Sequence, residues 1–170
     1  MLLASSLFRP DVFVRTLKLT EMKRLAILFC ALSVAFTALD AQNRPDDIVG
    51  KWLAEQDGVS SHAEITRSSD GTYMCQLLWV EDSMTPEGEK VLDVKNPDRS
   101  LRSVPIDEVV LFSGLRFNEK KNCWDGTKIY DPTRGIRANV SCTLIDGGKT
   151  LRLRGSVLGI GETVEWTRME

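Results

Sequence analysis

From Ile48 onward, apolar and polar residues alternate with a period of two, and no long stretch keeps a helical period. The clearest case is Arg137–Ile145, where Ala138, Val140, Cys142 and Leu144 share one face and Arg137, Asn139, Ser141 and Thr143 the other. The same pattern predicts strands over Ile48–Glu55, Ala63–Ser68, Thr72–Val80, Val109–Phe117, Cys123–Tyr130, 151–157 and Glu162–Arg168. In the third strand, Tyr73, Cys75, Leu77 and Trp79 fall on one side. Turn residues separate the strands: Asp70-Gly71, Pro132-Thr133, Asp146-Gly147-Gly148 and Gly159–Gly161. About eight short strands joined in this way fit a barrel or a sandwich. A closed barrel removes the exposed edge strands that a sandwich would carry. The expected fold is therefore all-β, a single antiparallel up-and-down barrel. At this strand number the interior is either filled by side chains or holds one small ligand, and alternation alone does not choose.

The two ends of the folded region carry a further signal. Gly50-Lys51-Trp52 opens it and Trp166-Thr167-Arg168 closes it, which looks like the first and last strands of small closed barrels of the lipocalin and fatty-acid-binding type. In such barrels these strands pair, and the tryptophan lies under the arginine as a plug. A guanidinium stacked on an indole contributes about 0.5–2 kcal/mol, depending on desolvation. In the last strand Val164, Trp166 and Arg168 share a face, so Arg168 is expected to point inward and meet Trp52.

One segment breaks the meander. Residues 81–108 contain Pro86, Gly88, Pro97 and Pro105 without a strand period. Long loops in compact domains are often binding loops or covers, the alternative being a solvated connection or a short capping helix. Within it, Asn96-Pro97-Asp98 is a turn by mechanism, and Lys95 and Arg102 are placed to pair with Asp93 or Asp98. Lys95, Asn96, Asp98 and Arg102 are therefore candidate binding residues, on a loop expected to cover one end of the barrel. Trp79, Trp124 and Tyr130 are candidate pocket walls, since ligand sites are apolar with a few polar groups; the competing reading is that they are ordinary core.

The chain divides before the barrel begins. Met22-Lys23-Arg24 precedes the apolar run Leu25–Leu39 and Asp40-Ala41, the three parts of a secretory signal. Residues 22–41 are expected to be that signal, 1–21 an extension ahead of the true start at Met22, and 42–170 one domain, with no transmembrane segment after processing. Export implies the periplasm or the extracellular space. Residues 1–41 hold five of the 22 basic and three of the 24 acidic residues, so 17 against 21 remain and the net charge is about −4. That balance argues against a nucleic-acid partner. Cys75, Cys123 and Cys142 remain after processing. Cys123 and Cys142 are equidistant from Pro132-Thr133 and would face each other in a tight hairpin, making a disulfide; the alternative is three buried thiols.

Catalytic signatures are sparse. The one histidine, His62, stands among Ser60, Ser61 and Glu64, with no Gly-x-Ser-x-Gly elbow and no partners for a zinc set. Neither a metal nor a cofactor is called for, and no pair of carboxylates stands out for hydrolysis.

Gly50–Trp52, Asp93–Pro105, Ile129–Pro132, Leu151–Gly155 and Trp166–Arg168 together resemble a bacterial family of small exported β proteins of unknown function, DUF2147. The resemblance implies a lipocalin-like barrel and export, and it brings no established activity. Thr127, Leu153 and Val104 stand where the family usually has other residues. The expected function is non-catalytic binding of a small, partly apolar or amphipathic ligand. An envelope protein-interaction module with a solid barrel is the alternative, and a hydrolase of envelope material comes third.

Overall fold

The computed structural model describes residues 42–170; the expected signal and the residues before it lie outside the described part. Eight antiparallel strands close into one barrel in sequence order: β1 (Gly50–Gln56), β2 (Val59–Arg67), β3 (Tyr73–Val80), β4 (Val110–Asn118), β5 (Cys123–Asp131), β6 (Ile136–Ile145), β7 (Thr150–Val157) and β8 (Ile160–Arg168). Closure is made by β1 on β8, with Trp52 opposite Arg168 and Ala54 opposite Trp166. Among the described residues, no helix is long and apolar enough to cross a membrane.

Strand boundaries follow the alternation closely, with two informative exceptions. β2 starts at Val59, earlier than alternation indicates, because Asp57-Gly58 forms a two-residue hairpin turn with φ of 53° and 81°. Paired positive φ values are what the tight hairpin turn requires. β8 starts at Ile160 because Leu158-Gly159 takes the same conformation, φ 51° and 86°.

Three irregularities in pairing decide which face a residue takes. Between β2 and β3 the register shifts at His62/Ala63: His62 opposes Trp79, while Ala63 opposes Leu77. The extra residue reverses the pleat. Tyr73, Cys75 and Leu77 are buried as expected, but Trp79 turns out to the surface, 41 % exposed, and packs on the His62 ring at 4.7 Å. In the β5–β6 hairpin Asp131 pairs with Ile136, so the turn is centred one residue later than Pro132-Thr133, and after the shift between Trp124 and Thr127 it is Trp124 that stands opposite Cys142. The expected Cys123–Cys142 disulfide is therefore absent; Cys75, Cys123 and Cys142 are all free and buried. Burial, and to a smaller degree Cys123 nearby, pushes the Cys142 thiol up to about 12. β3 and β4 also pair irregularly around Cys75.

One end of the barrel is solid. Trp52, Ile65, Leu115, Trp124 and Leu151 are each fully buried there, and a single 3-10 turn, Pro45–Ile48, lies across them. Trp52 Nε1 donates to Ile48 O (3.1 Å) and Trp124 Nε1 to Pro45 O (2.9 Å). Tyr73 donates its hydroxyl proton to Asp46 (2.7 Å). Arg168 finishes the closure: its guanidinium carbon lies 4.2 Å from the centre of the Trp52 ring, and it donates to Gly148 O, Val49 O and Asp47 O at 2.8, 3.0 and 2.5 Å. Gly50 makes room for this, since a Cβ there would come 2.8 Å from Arg168 Nη1. Trp124 thus belongs to the plug and not to a pocket.

Candidate functional site

Toward the other end the inward side chains shrink. Along β6, β7 and β8 the layers run from Leu144, Leu151 and Trp166 to Cys142, Leu153 and Val164, and then to Val140, Gly155 and Glu162. With Ala54, Ser61 and Ala138 also small, these residues leave a cavity of about 350 Å³ that opens between the β1–β2, β5–β6 and β7–β8 turns. That volume lies at the small end of the range for ligand sites. Its walls are mostly apolar, with Trp166 deep inside and nearly fully buried.

The rim is charged. Glu162 opposes Gly155 across β7–β8 and so faces the lumen. From the β5–β6 turn, Arg134 reaches Glu162 at 2.8 Å, Asp131 at 3.6 Å and Asp57 of the β1–β2 turn at 4.0 Å. Asp131 builds the turn that presents Arg134, accepting from the backbone N–H groups of Thr133 (2.9 Å) and Arg134 (3.2 Å). Outside this ionic ring lies an apolar one: Leu158 is 98 % and Ile160 83 % exposed, with Val59, Ile136 and Val157 beside them.

The long loop between β3 and β4 does not cover the opening. No residue of 81–108 lines the cavity. Instead the loop is stapled to the β5–β6 hairpin. Tyr130 opposes Arg137 and shares its outward face, whereas Ile129 and Ala138 face the lumen. Although Tyr130 borders the cavity, its hydroxyl donates to Asp93 Oδ1 at 2.7 Å and its ring carries the Arg137 guanidinium at 5.2 Å. Burial first, and the bond to Asp93 second, raise the Tyr130 pKa well above its ordinary value.

The loop's candidate binding residues are its internal fasteners. Asn96, itself buried, donates to Asp93 Oδ2 (2.7 Å) and accepts from the Asp98 N–H (3.0 Å). Asp98 caps Ser100 at 2.9 Å, and the Ser100 bonds hold its carboxyl below the usual range. Arg102 Nε donates to Asn96 O (2.8 Å), and Lys95 Nζ to Thr133 O (2.6 Å). Gly135 admits this approach, because a Cβ there would stand 2.5 Å from Lys95 O.

Of the candidate binding residues named from sequence, then, only Tyr130 touches the cavity. Lys95, Asn96, Asp98 and Arg102 fasten the loop, Trp79 lies outside, and Trp124 with Trp52 and Arg168 closes the far end. Arg134, Asp131 and Glu162 were missed. Glu162 was readable in principle, being two residues before Val164 on the inward face of β8. Arg134 had no such signal, because a turn residue has no period. Among the described residues, no group of His, Cys, Asp and Glu is placed to hold a metal ion.

A closed eight-stranded antiparallel barrel, plugged at one end and hollow at the other, defines a lipocalin-like protein. Residues 50–168 match the model of DUF2147, described as an uncharacterized protein conserved in bacteria, and the chain belongs to that family. Among solved structures it is similar to protein HP1028 from Helicobacter pylori, described as belonging to the lipocalin family. The identity is 24 % and the TM-score 0.58, over 72 % of this chain and 83 % of that one. At that identity the likeness speaks for the fold. No curated protein matches the chain.

Proposed function

We propose that this protein is an exported, non-catalytic carrier that binds a small, partly apolar molecule in the open half of its barrel. The observation that carries the reading is the cavity of about 350 Å³, mostly apolar within, with the Ser61 hydroxyl among its walls, and charged at its rim. Side chains as small as Ala54, Ala138 and Gly155 at inward positions leave space that the core at the other end does not leave. Apolar voids of this kind favour an apolar occupant over water. The polar groups of the rim pair with one another and do not surround a nucleophile, which suits binding better than turnover. Export rests on the leader-like residues 22–41 of the sequence.

A neutral environment-sensitive probe such as N-phenylnaphthylamine tests the reading. Saturable fluorescence enhancement is expected with the wild-type protein and none with Ala138→Trp, which fills the lumen. Circular dichroism should show the same barrel in both. Equal enhancement by both proteins would remove the cavity as the site. Export predicts that the chain, expressed in a bacterium, is recovered outside the cytoplasm with Gln42 as its first residue; recovery of unprocessed cytoplasmic protein would contradict it.

A second reading is favoured by the β7–β8 tip. Leu158 adopts φ 51° at 98 % exposure, a conformation in which Asn or Gly is the usual residue. An apolar side chain at that place fits a contact with a protein partner of the envelope.

A further inference from the structure

The buried tryptophans of the barrel differ in one respect. Trp52 Nε1 donates to Ile48 O and Trp124 Nε1 to Pro45 O, whereas Trp166 Nε1 meets no acceptor among the described residues. Trp166 is 5 % exposed, yet among the described residues no side-chain nitrogen or oxygen that is sealed from solvent lacks a partner. The indole N–H of Trp166 is therefore not sealed in, and the open space that this residue borders is the cavity. An indole nitrogen donates and cannot accept, so the floor of the cavity offers one free donor. Strand register sets a second polar group at the same height. Ala54 pairs with Trp166 on β8 and with Ser61 on β2, and all three line the cavity. Directly opposed residues share a face, so only the short side chain of Ala54 lies between the indole and the Ser61 hydroxyl. Around them the walls are apolar, with Leu77, Leu153 and Val164, while the charged lining residues Asp131, Arg134 and Glu162 stand at the rim. A charged head lowered to the floor would lose its water and gain no counter-charge. A neutral carbonyl loses less water and supplies the acceptor that the indole lacks.

We infer that the floor of the cavity is a subsite for a neutral carbonyl compound, a ketone or an ester that enters carbonyl first. Its oxygen accepts from Trp166 Nε1–H, the Ser61 hydroxyl is its second partner, and the apolar remainder extends toward the mouth. This rests on the reading of the lumen as a binding cavity and adds the polar group of the ligand and the direction in which it lies.

Two ligands of one shape separate the two claims: 2-nonanone and 2-methyl-1-nonene, which has a methylene group in place of the carbonyl oxygen. Each is competed against N-phenylnaphthylamine, and the quantity read is the ratio of ketone to alkene affinity. Trp166→Phe should lower that ratio about fivefold and Ser61→Ala about twofold, the size of one neutral hydrogen bond and of part of one. An unchanged ratio in Trp166→Phe would overturn the inference, and an unchanged ratio in Ser61→Ala would remove Ser61 from the subsite. The wild-type protein gives a second readout that needs no altered fold. In proton–nitrogen NMR spectra, the Trp166 indole N–H should lie downfield in the ketone complex of its place in the alkene complex. Coincident positions would overturn the inference even where both ligands displace the probe, and the cavity reading would then stand. Nonanoate that moves the same resonance as far would overturn the restriction to neutral ligands. Failure of both nonyl ligands to displace the probe would overturn the cavity reading and the subsite together.

Discussion

The two ends of the barrel are made from the same eight strands and have opposite characters. At the plugged end the buried rings and the capping arginine donate to backbone carbonyls: Trp52, Trp124 and Arg168 together donate to Ile48, Pro45, Gly148, Val49 and Asp47. These are low-exposure contacts made over fully buried rings, where an unmade bond is expensive. At the open end Arg134, Asp131, Glu162 and Asp57 form ion pairs with one another, in positions from 23 to 71 % exposed. Exposed ion pairs contribute little and rearrange easily. The difference teaches that stability and adaptability have been placed apart, with a rigid base holding a mouth that can open at small cost. The long loop belongs to the rigid part, although it lies near the mouth.

Substitutions can break this comparison. The largest effect is expected for Trp52→Ala, which removes a fully buried indole from the base. A loss of about 3–5 kcal/mol in chemical denaturation is expected, whereas Leu153→Ala, beside an existing void, should lose clearly less. Equal losses would mean that the two ends are not different. Arg168→Ala removes the stacked cation and leaves three carbonyls without their donor, so a loss of about 2–3 kcal/mol is expected. An unchanged melting temperature would sink the plug.

Alkaline pH probes the base in another way. Burial, and then the bond to Asp46, raise the Tyr73 pKa from 10.0 to about 12. The folded state therefore keeps a proton that the unfolded chain gives up, so this contribution is complete below pH 10 and is lost as the pH rises toward 12. Melting temperature should begin to fall near pH 9, above which burial keeps the Cys75 and Cys142 thiols protonated only in the folded state, and fall further above pH 10, where the drop is less steep in Tyr73→Phe and Tyr130 adds to it. A Tyr73→Phe profile that overlays the wild type would exclude Tyr73 as a contributor.

Asp93→Ala should lower stability by about 1–3 kcal/mol, because Tyr130 and Asn96 both lose a buried acceptor. Probe binding in the lumen should survive it. If binding is lost with the fold intact, the loop takes part in the site after all. The smallest effect on stability is expected for Arg134→Ala, with a melting temperature close to wild type and faster entry of ligand measured by stopped flow. A large destabilisation would show that the mouth is as rigid as the base.

Signals of short range were legible from residues. Alternation placed the strands because a pleated strand sends successive side chains to opposite faces, and Gly50, Trp52 and Arg168 marked the closing pair because each has a geometric task there. Asp57-Gly58 was an equally local signal and was passed over. Trp79 and Cys123 failed for another reason. For Cys123 the β5–β6 turn is centred one residue later than the Pro132-Thr133 dipeptide suggests, whereas Trp79 follows a bulge, one extra residue in a strand relative to its partner. Nothing within the strand announces it, yet it changes the face of every later residue. The loop Asp93–Pro105 was recognised as a structured turn, but a turn made of capping residues looks the same whether it holds a ligand or a hairpin.

The sequence by itself therefore determined the strand count, most of the turns, the antiparallel class and the Trp52–Arg168 pair of the plug, because these follow from period, torsion preference and pairing of neighbours. Only the tertiary structure decided that half the lumen is empty, that Asp93 and Tyr130 fasten the loop to the outer wall, and that Arg134, Asp131, Asp57 and Glu162 meet at the mouth. A void is a property of side chains from several strands at one height, and a rim is a property of turns far apart in the chain. Both come into being when the barrel closes.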